Sequence, residues 1–143
     1  MQRVVVDTDI FIRAIYHGDL HAQSILRHIN EGRLSLLTSY TITREIRRMI
    51  NLHPVIAGLD FVDAASALRK VDSLLAKGQK ITSPKVFNQC PDPADNMFFD
   101  CAIAGQADCI VAIDQHIHSV ANPPVQVKTP WQFLQDHPEL SRR

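Results

Sequence analysis

A chain of 143 residues, 45% hydrophobic and 21% charged, has the length of one domain, residues 1–143, and can bury a core without disulfide or metal staples. Its 15 Lys+Arg and 15 Asp+Glu cancel to a formal net charge of zero, which excludes a protein that holds nucleic acid by bulk charge alone. The apolar runs are too short for a membrane span, and three cysteines without C-x-x-C spacing (Cys90, Cys101, Cys109) point to buried thiols in a reducing cytoplasm.

Residues 3–6 read as a buried β-branched strand, interrupted by Asp7 too soon for a secretory signal. Ala22, Ile25, Leu26 and Ile29 predict an amphipathic helix over 20–30, with Gly32 as its C-cap. A second strand covers 34–37. Ile42, Ile46, Met49 and Ile50 mark a helix over 39–52 capped by Ser39, and Pro54 and Gly58 break the chain after it. Asp60 reads as the N-cap of a helix running to Ala76, with Asp63 at its third position and Phe61 on its apolar face. A weak third strand follows over 80–83, then a proline-rich loop over 84–93. A helix over 94–104 stops at Gly105, a strand over 109–113 ends on Asp114, and a last strand covers 125–128. Thr129-Pro130 starts a short terminal helix, and the tail after His137 reads as frayed. Strands alternating with helices imply an α/β fold with a central parallel sheet of four to five strands covered on both faces. Its ligands sit beyond the carboxyl ends of the strands.

The zero net charge hides an asymmetry. Residues 1–85 hold 12 basic and 8 acidic side chains, and residues 86–143 hold 3 and 7. Asp92, Asp95, Asp100, Asp108 and Asp114 crowd the second part. Two strands end directly on an acid, Asp7 and Asp114, where an acid also serves as a plain turn or N-cap residue. Glu45 shares or borders the apolar face set by Ile42, Ile46 and Met49. Asp95 is followed by Phe98, Phe99 and Ala102 at i+3, i+4 and i+7. A carboxylate facing a core interface is costly unless it is paired, hydrogen-bonded or bound to metal. Asp92 lies one turn earlier and either joins Asp95 or serves the helix dipole. Gathered carboxylates suit hard cations such as Mg²⁺ or Mn²⁺, which activate water and neutralise charge in phosphoryl chemistry.

These segments resemble a known family. Val4–Thr8, the acid-bearing helix with Glu45, the run Asp92-Pro93-Ala94-Asp95-Asn96 continuing to Ala107-Asp108 and the strand ending on Asp114, and the closing Thr129-Pro130-Trp131-Gln132-Phe133-Leu134 are together similar to a PIN domain. This is the metal-dependent ribonuclease fold of the VapC-type toxins of toxin–antitoxin pairs. The resemblance implies a three-layer sandwich with strand order 3-2-1-4-5. It also implies an endoribonuclease using Mg²⁺ or Mn²⁺, with Asp7, Glu45, Asp95 and Asp114 as catalytic acids. Of these, Asp7, Asp95 and Asp114 would hold the metal, with Asp92 and Glu45 as further candidates. It implies an RNA substrate, a protein antitoxin and a homodimer, with no membrane association. Arg13, Arg44, Arg47 and Arg48 are candidates for phosphate contacts. Two departures stand out: Asp9 where the family commonly has Asn, and Ala112-Ile113 where it commonly has a Thr or Ser near the acid.

Two other readings remain open. Asp7-Thr8-Asp9 after a strand resembles the opening of aspartyl phosphatases, in which the first Asp attacks phosphorus. A PIN-like module that binds RNA or protein without cutting is the second. The histidines show no grouping that suggests a site, and His116-x-His118 reads as solvated. If Asp7, Glu45, Asp95 and Asp114 are committed to metal, 11 acids face 15 bases and the remaining surface is mildly basic.

Overall fold

Each short apolar run closes on a residue able to start a helix, and the chain alternates accordingly. The computed structural model describes residues 1–59 and 63–141. Strand β1 (Arg3–Val6) leads into α1 (Thr8–Tyr16). α2 (Leu20–Asn30) returns to β2 (Ser35–Thr38), and α3 (Tyr40–Ile56) and α4 (Ala64–Ala76) precede β3 (Gln79–Lys80). After a long loop, a 3₁₀ turn (Pro93–Asp95) opens α5 (Asn96–Gly105). β4 (Cys109–Val111), α6 (Gln115–His118), β5 (Val127–Lys128), α7 (Pro130–Asp136) and α8 (Pro138–Ser141) follow.

The strands form one sheet in the order β3-β2-β1-β4-β5, parallel at every pairing. This is the α/β sandwich expected from the alternating elements, in the strand order that the family resemblance implies. Val4 sits beside both Leu36 and Cys109, so β1 is the central strand. Val4, Val5, Val6, Ile110 and Val111 are fully or almost fully buried, as a parallel sheet covered on both faces requires. α5 packs on β1, β2 and β4, and its last residue shows how closely. A Cβ on Gly105 would lie 2.9 Å from a Leu37 methyl, so Gly105 serves close approach. The residue after it, Gln106, takes the left-handed turn at φ 54°.

Several elements depart from the sequence expectation. Residues 8–16 received no assignment, yet Asp7 caps α1 there and Ile10, Phe11, Ile12 and Ala14 are buried. Their β-branched run carries little helical propensity, and tertiary burial supplies the stability instead. α3 does not stop before Pro54 but runs through it. A proline lacks the N–H that would bond the carbonyl four residues back. That carbonyl, on Ile50, accepts instead from the Tyr16 hydroxyl at 2.6 Å, so α1 repairs the ladder of α3. The N-cap of α4 is Asp63, whose Oδ1 accepts from Ala65 and Ser66. Asp60 and Phe61 lie outside the described residues.

The third strand is Gln79–Lys80, one residue earlier than expected and much shorter. β4 and β5 are likewise trimmed to three and two residues. The segment after His137 forms α8, with Leu140 buried against the core, so apolar contact holds part of a tail expected to fray. Ser39 and Thr129 cap α3 and α7 as expected, the latter through a capping box with Gln132. All three cysteines are free and buried. Among the described residues no helix is long and apolar enough to cross a membrane.

Candidate active site

The carboxyl ends of β1 and β4 lie side by side, and a crevice of about 360 Å³ opens above them. Asp7, Glu45, Asp95, Asp114 and Asp92 all line it. Four separate segments of the chain deliver these acids to the one crevice.

Asp7 is the most constrained. It is 2% exposed. Its Oδ1 accepts from the backbone N–H of Ile10 at 3.1 Å, and its Oδ2 from those of Ile113 at 3.1 Å and Asp114 at 3.5 Å. The first bond makes it the N-cap of α1, and the second pair ties the end of β1 to the end of β4. Burial pushes its carboxyl up to about 7, with the nearby Asp9 charge adding to the rise and the backbone donors opposing it.

Asp114 is both N-cap and crevice residue. Its Oδ1 accepts from the His116 N–H at 2.8 Å, and the His116 ring Nδ1 lies 3.5 Å away. Asp95 ends the 3₁₀ turn at the mouth of α5. Its Oδ2 is buried with no partner. Burial raises its carboxyl to about 6, followed by the charges of Asp114 and Asp92. His116 opposes the rise, and Glu45 adds to it. Ligand atoms of Asp95, Asp114 and His116 lie within 4.8 Å of one another. His116 is therefore a further candidate ligand, although its sequence context reads as solvated. The H-x-H spacing was visible, but α6 alone aims its first member at Asp114.

Glu45 borders the apolar face of α3 beside Met49, which also lines the crevice. Arg48 grips its carboxylate with two bonds, at 2.9 and 3.1 Å, and that contact raises the Arg48 guanidinium further. Asp92 is exposed and caps the 3₁₀ turn through the Ala94 N–H. Asp100 and Asp108 leave the cluster. Asp100 is buried and accepts from Val86 and Phe87 at 2.9 and 2.8 Å, anchoring the proline-rich loop. Asp108 accepts from the Arg3 N–H at 2.8 Å.

Of the four arginines named from the sequence, three are engaged. Arg13 pairs with Asp9, Arg47 with Asp72 and Arg48 with Glu45. Arg44 has no ion pair among the described residues. The Asp9 departure thus adds a charge that Arg13 offsets.

The fold also makes a histidine pair the sequence concealed. His17 and His53, 36 residues apart, bring their Nε2 atoms within 2.8 Å, and His53 lines the crevice. Burial, then the adjacent His17, lowers the His53 imidazole. Thr8 lines the crevice too, with its hydroxyl buried and unpartnered. Its place directly after Asp7 was the available signal.

The residues fit a divalent cation. An orphaned buried carboxylate oxygen on Asp95 is costly alone, and a second carboxylate and an imidazole stand within ligating range of it. Carboxylates suit Mg²⁺ or Mn²⁺, and an imidazole shifts preference toward transition ions.

A family model described as PIN domain matches residues 3–116. The chain is 27% identical to the uncharacterized protein MJ1680 of Methanocaldococcus jannaschii, an alignment covering 94% of this chain and 90% of that one. In fold it is similar to PAE2754 from Pyrobaculum aerophilum, with TM-score 0.59, 15% identity and 99% and 98% of the two chains covered. It is also similar to a chain of VapBC2 from Rickettsia felis, solved bound to a DNA fragment from its promoter. That match has TM-score 0.58, 14% identity, and 90% and 98% coverage.

Proposed function

We propose, from the premise that this chain belongs to the PIN domain family, that it is a divalent-metal-dependent endoribonuclease hydrolysing RNA phosphodiester bonds. The observation that carries the reading is the crevice itself. It gathers Asp7, Glu45, Asp95 and Asp114 from distant segments and leaves Asp95 Oδ2 buried and unpaired. Structural acids find partners in their own fold, as Asp63 and Asp100 do. An acid left unpartnered in a cleft indicates a role toward a ligand.

Asp95, Asp114 and Asp7 would hold Mg²⁺ or Mn²⁺, with His116 as a further donor, Asp92 at the rim and Glu45 across the crevice. When bound, the ion neutralises charge on the phosphoryl group and lowers the pKa of a coordinated water. The chain's own residues do the positioning. Three backbone N–H groups fix the plane of the Asp7 carboxylate. They supply an orientation that the hydroxyl missing at Ala112-Ile113 would otherwise support. Arg48 holds the Glu45 carboxylate still, so that it can complete the ligand set or orient the attacking water.

An aspartyl phosphatase would use Asp9 as its acid and base, whereas here the Asp9 carboxylate is engaged by Arg13 at 3.2 Å. A non-catalytic binding module has no use for the unpaired Asp95 oxygen. RNA cleavage measured with Mg²⁺ or Mn²⁺, with EDTA, and in Asp7→Asn and Asp95→Asn decides the matter. Loss of cleavage in EDTA and in both variants is expected, and cleavage persisting in EDTA sinks the reading.

The biological role we propose is the toxin of a toxin–antitoxin pair, working in the cytoplasm. An antitoxin segment placing an Arg or Lys against the carboxylates would inhibit it, since a cation there offsets charge that an ion otherwise neutralises. Homodimerisation belongs to the same reading. Copurification of a small partner from the native host, and its release restoring RNA cleavage, is the test. Purified protein that cleaves fully while no partner accompanies it would refute the paired role.

A further inference from the structure

At the carboxyl ends of β2 and β3 lies a second cavity of opposite character. It has a volume of about 400 Å³, and its lining includes Tyr40, Thr41, Thr43, Lys80 and Ser83. No carboxylate lines it. We infer that this cavity is a subsite for single-stranded RNA, holding a nucleotide a few positions from the bond that is cut, with Tyr40 stacking on its base and Lys80 contacting its phosphate. This deepens the nuclease reading and rests on it.

Topology places the cavity along the same sheet edge. The acids Asp7 and Asp114 follow β1 and β4, whereas Ser39, Tyr40 and Lys80 stand at the ends of β2 and β3. Neighbouring strands lie about 4.8 Å apart, so the end of β3 is on the order of 10 Å from the end of β1. Helix α3 spans both sites. Tyr40 begins it and Glu45 lies five residues on, about 7.5 Å along the axis and about 140° around it, so the two side chains leave different faces of the helix. A strand of RNA reaching from one to the other passes around the start of α3, a path of a few nucleotides.

The side chains supply what a single strand needs. Tyr40 is 80% exposed, and its ring and hydroxyl have no partner among the described residues. An exposed aromatic offers any base a stacking face. Lys80 is exposed and unpaired, whereas Arg13, Arg33, Arg47, Arg48 and Lys128 are all held in ion pairs. Arg44, also unpaired, lies at i+4 from Tyr40 and shares its helix face. Threonine and serine hydroxyls complete the wall with groups that both donate and accept. A strand of RNA leaving the crevice carboxylates thus meets hydroxyls at the end of β2 and a cation at the end of β3. A lysine on an edge strand also discourages strand addition, but that role requires no RNA dependence.

Fluorescence anisotropy with an end-labelled, 2′-O-methylated oligoribonucleotide in EDTA tests the subsite apart from cleavage. Tyr40→Ala is expected to weaken binding roughly tenfold and Tyr40→Phe to bind as the unaltered protein does. Lys80→Ala should weaken binding and flatten the salt dependence by about 0.7 in log–log slope. Trp131→Ala, which removes an exposed aromatic elsewhere, should change nothing. Tyr40→Ala and Lys80→Ala binding like the unaltered chain overturns the inference. No binding by the unaltered chain overturns it too, in favour of a protein partner at this face. Tyr40-dependent binding without metal-activated cleavage would sustain the subsite and defeat the nuclease reading. Metal-activated cleavage indifferent to both substitutions would do the reverse.

Discussion

Asp7 should make the metal-free protein lose stability as pH rises through neutrality. Its carboxyl stands at about 7 in the fold against 3.8 as an ordinary side chain. Below pH 3.8 the group is protonated folded and unfolded, and its contribution is fully present. Above 3.8 the unfolded chain releases the proton and the folded chain keeps it, so stability falls until the pH passes 7. At 1.36 kcal/mol per pH unit the loss approaches about 4 kcal/mol. A chain of this size shifts its Tm by about 2–4 °C per kcal/mol, so the drop is on the order of 10 °C. Asp7→Asn isolates the effect. Its amide opposes one of the backbone N–H donors and lowers stability overall, by about 1–3 kcal/mol, but cannot ionise. The readout is Tm in EDTA between pH 4.5 and 8, as the difference between the two proteins. That difference should narrow with rising pH, as the unaltered protein gives up its advantage. Mg²⁺ should then raise the Tm of the unaltered protein at pH 8 and have little effect at pH 5, where protons hold the site. Parallel pH profiles for the two proteins would refute the account of Asp7 as a buried, strained acid.

Asp95→Asn should reduce metal-activated RNA cleavage by more than the roughly 10–100-fold typical of an outer-shell partner. Metal-free stability should hold steady or rise, because the substitution relieves repulsion from Asp114 and Asp92. A loss of both would mark a structural residue. Tyr16→Phe should cost about 1–2 kcal/mol in chemical denaturation by stripping the Ile50 carbonyl of its donor. The cost should shrink on a Pro54→Ala background, where the helix can supply its own N–H, and a purely additive double-mutant cycle would contradict this. Asp100→Ala should destabilise by about 3 kcal/mol, since it removes two charge-assisted bonds to Val86 and Phe87. It should also speed protease cutting in the proline-rich loop, and unchanged cutting would show that the loop is held by other contacts.

The elements most legible in the sequence are those with a local cause. Ser39 and Thr129 announce helices because their hydroxyls meet backbone donors three residues away. The valine run of β1 and the apolar run of β4 announce buried strands. The resemblance then implied the strand order the structure has. α1 was illegible for the complementary reason: Ile10-Phe11-Ile12 favours strand by propensity, and only packing between the sheet and neighbouring helices makes it helix. α3 crosses Pro54 because a tyrosine 38 residues earlier supplies the missing donor, a compensation no local window contains.

For the candidate site, sequence alone nominated Asp7, Glu45, Asp95 and Asp114, since strand ends and helix faces follow from periods of two and 3.6. Tertiary structure decided how Asp7, Asp95 and Asp100 are used. It buried Asp7 against the N–H groups of Ile113 and Asp114, left Asp95 Oδ2 without a partner, and drew Asp100 to the loop it anchors, whereas Glu45 and Arg48 meet locally, three residues apart on one helix. It also joined His17 to His53 and gathered Tyr40 and Lys80 around one cavity. A carboxylate's desolvation, pairing and distance to other charges depend on residues far away in the chain. A sequence can therefore locate an acid at the right edge of a sheet, and the folded chain alone determines what that acid meets there.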